Sequence, residues 1–349
     1  MNVSPSMSWE ERIIKETELD PYRRVLAATD LPSKVEALIN HQTIHWSLLS
    51  EGIQALSQVI VKRIPLESFD VFAQFNPKRI VSTAAAVDKT SIQNRPCFLC
   101  EANLPPEEKG LAYGDAFVIL CNPFPILDRH LSIVHKWHVP QAIAGRFETM
   151  LDLAKDLSPE FFVLYNGPQC GASAPDHFHL QAASRKGLPL EDHMALIRAH
   201  PELGARERGV LKTDGVEIFT LKNDHWNVLI CRSSDREALT RWFYRIIEIM
   251  ADLTGNRPEP LINLIVTFDE PDWTVYLFPR GKHRPACYYA EGDDKLLVSP
   301  GATDLAGCLV VPVEAHFQKI DAEAIKQIFS EVTLGGQLFS HLVKTLSAC

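Results

Sequence analysis

Along residues 33–58, SKVEALINHQTIHWSLLSEGIQALSQ, apolar side chains recur at Val35, Leu38, Ile39, Ile44, Leu48, Leu49, Ile53 and Leu56. This is the three-to-four spacing of one helix face, and it predicts a helix across the segment. The pattern then shortens. VFAQFNPKRIVSTAA predicts a strand, an Asn-Pro turn and a second strand. Two apolar runs, 116–121 and 131–134, flank a proline-rich turn and predict neighbouring strands. A helix is expected over 141–156, strands over 160–166 and 177–183, and a helix over 190–200.

The second half repeats this grammar. WNVLICRSS predicts a strand, and DREALTRWFYRIIEIMADLTG a helix capped by Ser234 or Asp235 and stopped at Gly255. PLINLIVTFDEPDWTVYLFPRGKHRP holds two strands around an acidic turn and ends in a basic cluster. KLLVSPGATDLAGCLVVP is a loop between apolar runs, and a terminal helix is expected over 319–347. Strands, a helix and more strands in each half predict two similar α+β units. The boundary falls in the polar stretch near 200–225.

Composition narrows the function classes. The 349 residues suffice for two core-forming units or one large double unit. The net charge of −9 comes without a basic run, which argues against a nucleic-acid groove and leaves small anionic substrates open. The N-terminus carries acids early and has no apolar segment of the signal-peptide kind. No stretch approaches the roughly 18 apolar residues of a membrane span. Of eight dispersed cysteines only Cys97 and Cys100 are close. Without an export signal that pair reads as metal-binding or redox, and the protein is placed in the cytoplasm.

The chemistry concentrates in NGPQCGASAPDHFHLQAAS, residues 166–184. On a strand, His177, His179 and Gln181 project from one face, with Phe178 and Leu180 on the other. Gly167 and Gly171 in the preceding loop let backbone approach a ligand, and Ser173 adds a hydroxyl. An imidazole on a rigid strand suits attack on phosphorus, because one nitrogen can be held protonated while the other attacks. A pair of satisfied core histidines is the plainer alternative.

Asn166 with H-x-Q after it, and GAS and HFHLQ between, resembles the active-site segment of the histidine triad superfamily. The glutamine at the third triad position is similar to the transferase and phosphorylase branch. That branch holds the hexose-1-phosphate uridylyltransferases, the diadenosine tetraphosphate phosphorylases and the GDP-hexose phosphorylases. Asp176 and Phe178 depart from prolines that the uridylyltransferases tend to carry. The resemblance implies His179 as nucleophile, forming a covalent nucleotidyl-histidine. It assigns Gln181 and Ser173 to the phosphoryl oxygens, Asn166 to support of the nucleophile, and Gly171 to the loop around the substrate.

The Cys97-x-x-Cys100 turn alone leaves redox and zinc readings open. The resemblance completes a structural zinc site with His177 and a histidine after the central strand, His138 in preference to His135. It also places Asn122, Phe124 and Pro125 beside base and ribose, and Arg79 and Lys78 at the nucleotide phosphates. His130 either reaches phosphate or caps its turn. Arg280, Lys282, His283 and Arg284 fill four of five positions and read as an acceptor-anion site, against a plain surface turn. SPGATDLAG resembles a loop of the phosphorylases and favours phosphorolysis.

The fold class expected is therefore α+β: two histidine-triad-like units in one chain, antiparallel sheets with flanking helices. Residues 1–65 form an N-terminal helical segment, 66–205 the catalytic unit with zinc site and triad, and 206–349 a second, divergent unit. The activity expected is nucleotidyl transfer from a nucleoside diphosphate-sugar or dinucleoside polyphosphate to phosphate or a sugar phosphate. A hexose-1-phosphate uridylyltransferase and a catalytically inactive nucleotide-binding protein are the alternatives. Zinc is the one cofactor expected. Neither nucleic acid nor membrane is a partner, and the chain is a monomer or homodimer.

Overall fold

The computed structural model describes residues 7–25, 29–67, 69–84, 89–199, 207–213, 215–221 and 226–349. The expected boundary at 205/206 lies outside the described residues. The chain forms two compact units, each assembled from several segments: 1–58, 85–141 and 173–184 in one, and 59–84, 142–172 and 185–349 in the other.

In the first unit the strands Gly110–Tyr113, Phe117–Cys121, Leu131–His135 and His179–Ser184 lie side by side in that order, all antiparallel. Ile133 pairs with Leu180 and Val134 with His179, so the register is pinned by buried aliphatics on both sides. A core of Trp9, Leu99, Leu104, Val118, Leu120, Val134 and Ala174 includes Cys97. The Trp9 indole N–H donates to the Lys136 carbonyl (2.9 Å). The Arg12 guanidinium, 2% exposed, donates to the carbonyls of Leu104, Pro105 and Glu108, so the short N-terminal helix Trp9–Arg12 is tied to this unit.

The single helix expected over 33–58 is two helices, Leu31–His45 and Ser47–Ser57. Apolar periodicity runs on through the break, but Trp46 between them is extended and its ring is buried at 2% exposure. Burial of one indole outweighs the continuity of helical hydrogen bonds there. Asp30 caps the first helix by accepting the Ser33 N–H.

In the second unit a larger sheet runs Phe161–Asn166, Ile262–Asp269, Asp272–Pro279, Leu229–Ser233, Val216–Leu221 and Glu207–Thr213, antiparallel throughout. Helix Arg236–Thr254, capped by Asp235 and ended at Gly255, stacks Phe243 on Phe147 of helix Phe147–Asp156 with ring centroids 3.7 Å apart. A smaller sheet pairs Asp70–Phe75 with Ile60–Pro65 antiparallel and with Cys308–Val311 parallel.

Three expectations are corrected here. The second strand expected after Asn76 is helical, Pro77–Arg79 followed by Ile80–Thr83, because Pro77 opens a helix with its fixed φ. The terminal helix is three pieces, Glu314–Lys319, Ala322–Val332 and Gly336–Ser347. Asp321 caps the second piece, and Gly335 and Gly336 start the third. The triad strand starts at His179 and not at 177. The His177 and Phe178 N–H groups are turned to the carbonyls of Ala174 and Val139, so His177 belongs to the loop that delivers the strand.

Among the described residues, no helix is long and apolar enough to cross a membrane.

Candidate active site and metal cluster

Four side chains of the first unit converge on one point. Cys97 and Cys100 lie on a tight turn, with the Cys100 N–H on the Cys97 carbonyl (3.2 Å) and the Asn103 amide on the same oxygen (2.8 Å). His138 follows strand Leu131–His135, and His177 precedes strand His179–Ser184. The ligand atoms of these four residues all lie within 4.8 Å of one another. The Cys97 sulfur is 3.4 Å from His177 Nδ1, and the Cys100 sulfur 3.2 Å from His138 Nδ1.

The tautomers follow from the outer contacts. His177 Nε2 is 2.7 Å from the His135 carbonyl, an acceptor only, so the proton sits on Nε2 and the Nδ1 lone pair faces the sulfurs. His138 Nε2 lies 3.8 Å from a carboxylate oxygen of Asp176, which Arg95 holds at 3.0 Å. Burial pushes His177 down to about 4, so its ring is neutral. Burial also pushes the Cys97 thiol up to about 12, and a thiolate at that depth calls for a compensating cation. Two sulfurs and two imidazole nitrogens at this spacing fit a tetrahedral divalent metal of zinc character. His135 is turned elsewhere: its Nδ1 lies beside the Trp137 backbone (3.1–3.3 Å).

On the adjoining strand His179 is 5% exposed and clamped at its backbone. The Gln141 amide accepts the His179 N–H (2.8 Å) and donates to the His179 carbonyl (3.0 Å). The His179 ring donates through Nδ1 to the His177 carbonyl (2.9 Å), which leaves the lone pair on Nε2. Burial holds its pKa below the ordinary imidazole value. His179 is thus a neutral imidazole with the Nε2 lone pair oriented by the Nδ1–H contact.

Gln181 shares that face, opposite Ser132. Its Oε1 lies 2.8 Å from His130 Nε2, while His130 Nδ1 accepts the Ile126 N–H (3.4 Å). A ring accepting at Nδ1 donates at Nε2, so Gln181 is held with its oxygen on His130 and its NH2 as donor. Asn122 closes the turn before strand Leu131–His135, accepting the Phe124 N–H (2.9 Å), and the Phe124 ring stands 40% exposed. The Ser173 carbonyl accepts from Arg95 (3.2 Å).

The remaining candidates belong to the second unit. Asn166 ends strand Phe161–Asn166, and its Oδ1 accepts from Asn263 Nδ2 (2.7 Å) and the Ala302 N–H (2.9 Å). Gly171 has φ +96°, and a Cβ there would meet the Gly301 Cα at 3.1 Å, so loop 167–172 and loop 300–302 require glycine to lie this close. Arg79 faces Asp304, whose carboxyl burial raises to about 6 while the Gly301 and Val310 N–H groups and Arg79 oppose the rise. Arg284 donates to Ser299 (3.1 Å) and Thr83 (3.4 Å) and lies over the Tyr288 ring (4.2 Å to the centroid). Lys282 pairs with Glu331 (2.7 Å).

Sequence reasoning missed Gln141 and Asn263, and it grouped Arg280 with the acceptor-anion cluster, whereas Arg280 is 1% exposed and its guanidinium is taken up by the carbonyls of Val332, Pro300, Lys282 and His283. It left His130 open between phosphate and turn, whereas the ring holds Gln181. A glutamine in HVPQA and an asparagine within an apolar strand carry no spacing signal. Only the pairing of distant segments reveals them.

Residues 38–184 match the family described as a domain of unknown function (DUF4922). No curated protein matches the sequence. The crystal structure of yeast Ap4A phosphorylase Apa2 in complex with AMP aligns at 15% identity with a TM-score of 0.57, covering 86% of this chain and 96% of that chain. Apa2 in complex with Ap4A gives 15% and 0.57, over 85% and 97%. An ADP-glucose phosphorylase from Arabidopsis thaliana with bound ADP-glucose gives 13% and 0.35, over 78% and 99%, too weak an alignment to bear on the fold. Mostly antiparallel sheets, flanking helices, two units and an alignment to Apa2 that covers 86% of this chain and 96% of that chain lead to one conclusion: the chain has the α+β fold of yeast Ap4A phosphorylase Apa2.

Proposed function

We propose that the protein is a nucleotidyltransferase that phosphorolyses a dinucleoside polyphosphate or a nucleoside diphosphate-sugar through a nucleotidyl-histidine at His179. The observation that carries this reading is the state of that ring: neutral, buried, with Nδ1–H on the His177 carbonyl and the lone pair on Nε2. The fold shared with a phosphorylase whose complexes hold AMP and Ap4A supports the choice of substrate class.

In the first step Nε2 attacks the α-phosphorus. A P–N bond forms, the P–O bond to the remainder breaks, and the remainder leaves with the bonding pair on its own phosphate oxygen. In the second step an oxygen of inorganic phosphate attacks the same phosphorus and the P–N pair returns to Nε2. Two displacements of comparable ease suit a phosphoramidate intermediate. The Gln181 NH2 donates to the phosphoryl oxygens as charge builds on them. Ser173 is assigned to the same oxygens and Asn166 to support of the nucleophile. Arg79 is assigned to the nucleotide phosphates, Asn122 and Phe124 to base and ribose, and Lys282 and Arg284 to the acceptor. A zinc ion held by Cys97, Cys100, His138 and His177 supplies structural cross-linking where the loop enters the His179 strand.

Products decide the reading. With Ap4A and phosphate the reaction yields ATP and ADP, and ADP appears only when phosphate is present. Release of AMP and ATP at the same rate without phosphate would identify a hydrolase instead. No turnover of dinucleotides or nucleotide-sugars, with binding retained, would identify a nucleotide-binding protein.

A further inference from the structure

A chain of buried amides in the second unit sets which way Asn166 faces. Arg280 is 1% exposed, and its guanidinium is a donor at every nitrogen. It donates to the carbonyls of Val332 (3.0 Å), Pro300 (2.9 Å), Lys282 (3.2 Å) and His283 (2.9 Å), and to one side-chain atom of Asn263. That atom must accept, so it is Oδ1. Asn263, fully buried, therefore turns Nδ2 the other way, where it meets the Cys170 carbonyl (2.7 Å) and the Asn166 amide (2.7 Å). The Asn166 atom receiving that donor must accept in turn, so it is also Oδ1. The Ala302 N–H, a donor only, reaches the same atom from the opposite loop (2.9 Å) and fixes the assignment independently. Gly301 lets this happen: a Cβ there would stand 3.0 Å from Asn166 Oδ1. The Asp304 carboxylate in turn holds the Gly301 N–H (2.8 Å).

We propose that Arg280 and Asn263 are positioning residues that lock the Asn166 amide with its oxygen on Asn263 and Ala302 and its NH2 on the opposite side as a hydrogen-bond donor. Resting on the nucleotidyl-transfer reading, that NH2 is the group Asn166 contributes to the reaction. Reversing it would present an oxygen to an anionic substrate. The lock costs no rearrangement during turnover, which is the advantage of a preorganised donor.

Asn263→Asp tests the relay with little change of shape. The carboxylate still accepts from Arg280 but has no N–H for Asn166 or Cys170. Asn166→Asp is the companion variant: it keeps both acceptor contacts and removes the NH2. In protein labelled with 15N-asparagine, the Asn166 side-chain resonances, identified by their loss in Asn166→Asp, should move and exchange faster in Asn263→Asp. Both variants should lower the rate of adduct formation at His179 by roughly 10²-fold, the scale of one lost oriented donor. The substrate KM should shift less than about threefold, and bound metal should be unchanged. Asn166 resonances identical in wild type and Asn263→Asp would overturn the relay, whatever the activity. Shifted resonances with an unaltered adduct rate would overturn the positioning role alone. A wild-type protein that forms no adduct would overturn the transferase reading and leave the amide lock to the spectra.

Discussion

Replacement of Gln141 by leucine isolates the clamp on the His179 backbone. The side chain is 3% exposed and makes two hydrogen bonds to one residue, accepting the His179 N–H at 2.8 Å and donating to its carbonyl at 3.0 Å. Leucine fills nearly the same volume, so a cavity contributes little and the loss is polar. Each backbone group left buried without a partner costs about 1–3 kcal/mol, so the pair predicts a loss of about 2–6 kcal/mol. Urea unfolding followed by tryptophan fluorescence reads it, because Trp9 and Trp46 are buried in the same unit. Gln141→Glu sharpens the test. Its carboxylate still accepts the N–H but confronts the carbonyl with an oxygen, and it can donate only when protonated. The folded-state pKa of that glutamate should therefore be raised. Its deficit against wild type should be small below the ordinary carboxyl range and grow as pH rises toward the raised value. Equal stability of Gln141→Leu and wild type within about 0.5 kcal/mol, or a Gln141→Glu deficit independent of pH, would refute the clamp.

Three further outcomes are expected. Protein purified without chelators should carry about one zinc per chain by elemental analysis, and Cys97→Ser should lose it and unfold at lower temperature; metal-free wild type of undiminished stability would contradict the cluster. Burial raises Glu108 to about 8, so the folded chain keeps that proton where an unfolded glutamate has lost it. Its share of stability should therefore be present below pH about 4.5 and be lost as pH rises toward 8. Glu108→Gln should remove the dependence and gain on the order of a few kcal/mol over wild type above pH 8, checked by urea midpoints at three pH values; parallel profiles would refute it. Arg79→Ala should weaken nucleotide binding by about 1.5–3 kcal/mol in calorimetry, the range for hydrogen bonds to charged groups, and unchanged affinity would return Arg79 to a structural role opposite Asp304.

Local pattern carried the strands well. Phe117–Cys121, Leu131–His135, Ile262–Asp269 and Asp272–Pro279 stand where their apolar runs place them, because each run is buried and bounded by turn residues. Helix breaks were harder to read. Nothing local marks Trp46 as extended, since the apolar periodicity runs on through it and its burial is set by the folded chain. The four metal-cluster side chains were legible because the Cys-x-x-Cys turn stands out and the family resemblance supplied His138 and His177. The start of the triad strand was not, since period-two alternation extends to His177 although turn hydrogen bonds hold that residue outside the ladder. Gln141 and Asn263 were invisible for a common reason. Each acts through a hydrogen bond to a residue between 17 and 97 positions away, and a buried amide has no periodicity of its own.

The central claim is the covalent intermediate at His179, and intact-protein mass spectrometry tests it most directly. Wild type mixed with Ap4A in phosphate-free buffer and quenched under alkaline conditions should gain the mass of one AMP moiety, and fragmentation should place it on His179. The added mass should be acid-labile, and phosphate should discharge it as ADP before quenching. His179→Gly should gain no mass while retaining its zinc. Turnover without any added mass on wild type, or near wild-type turnover by His179→Gly, would contradict the account.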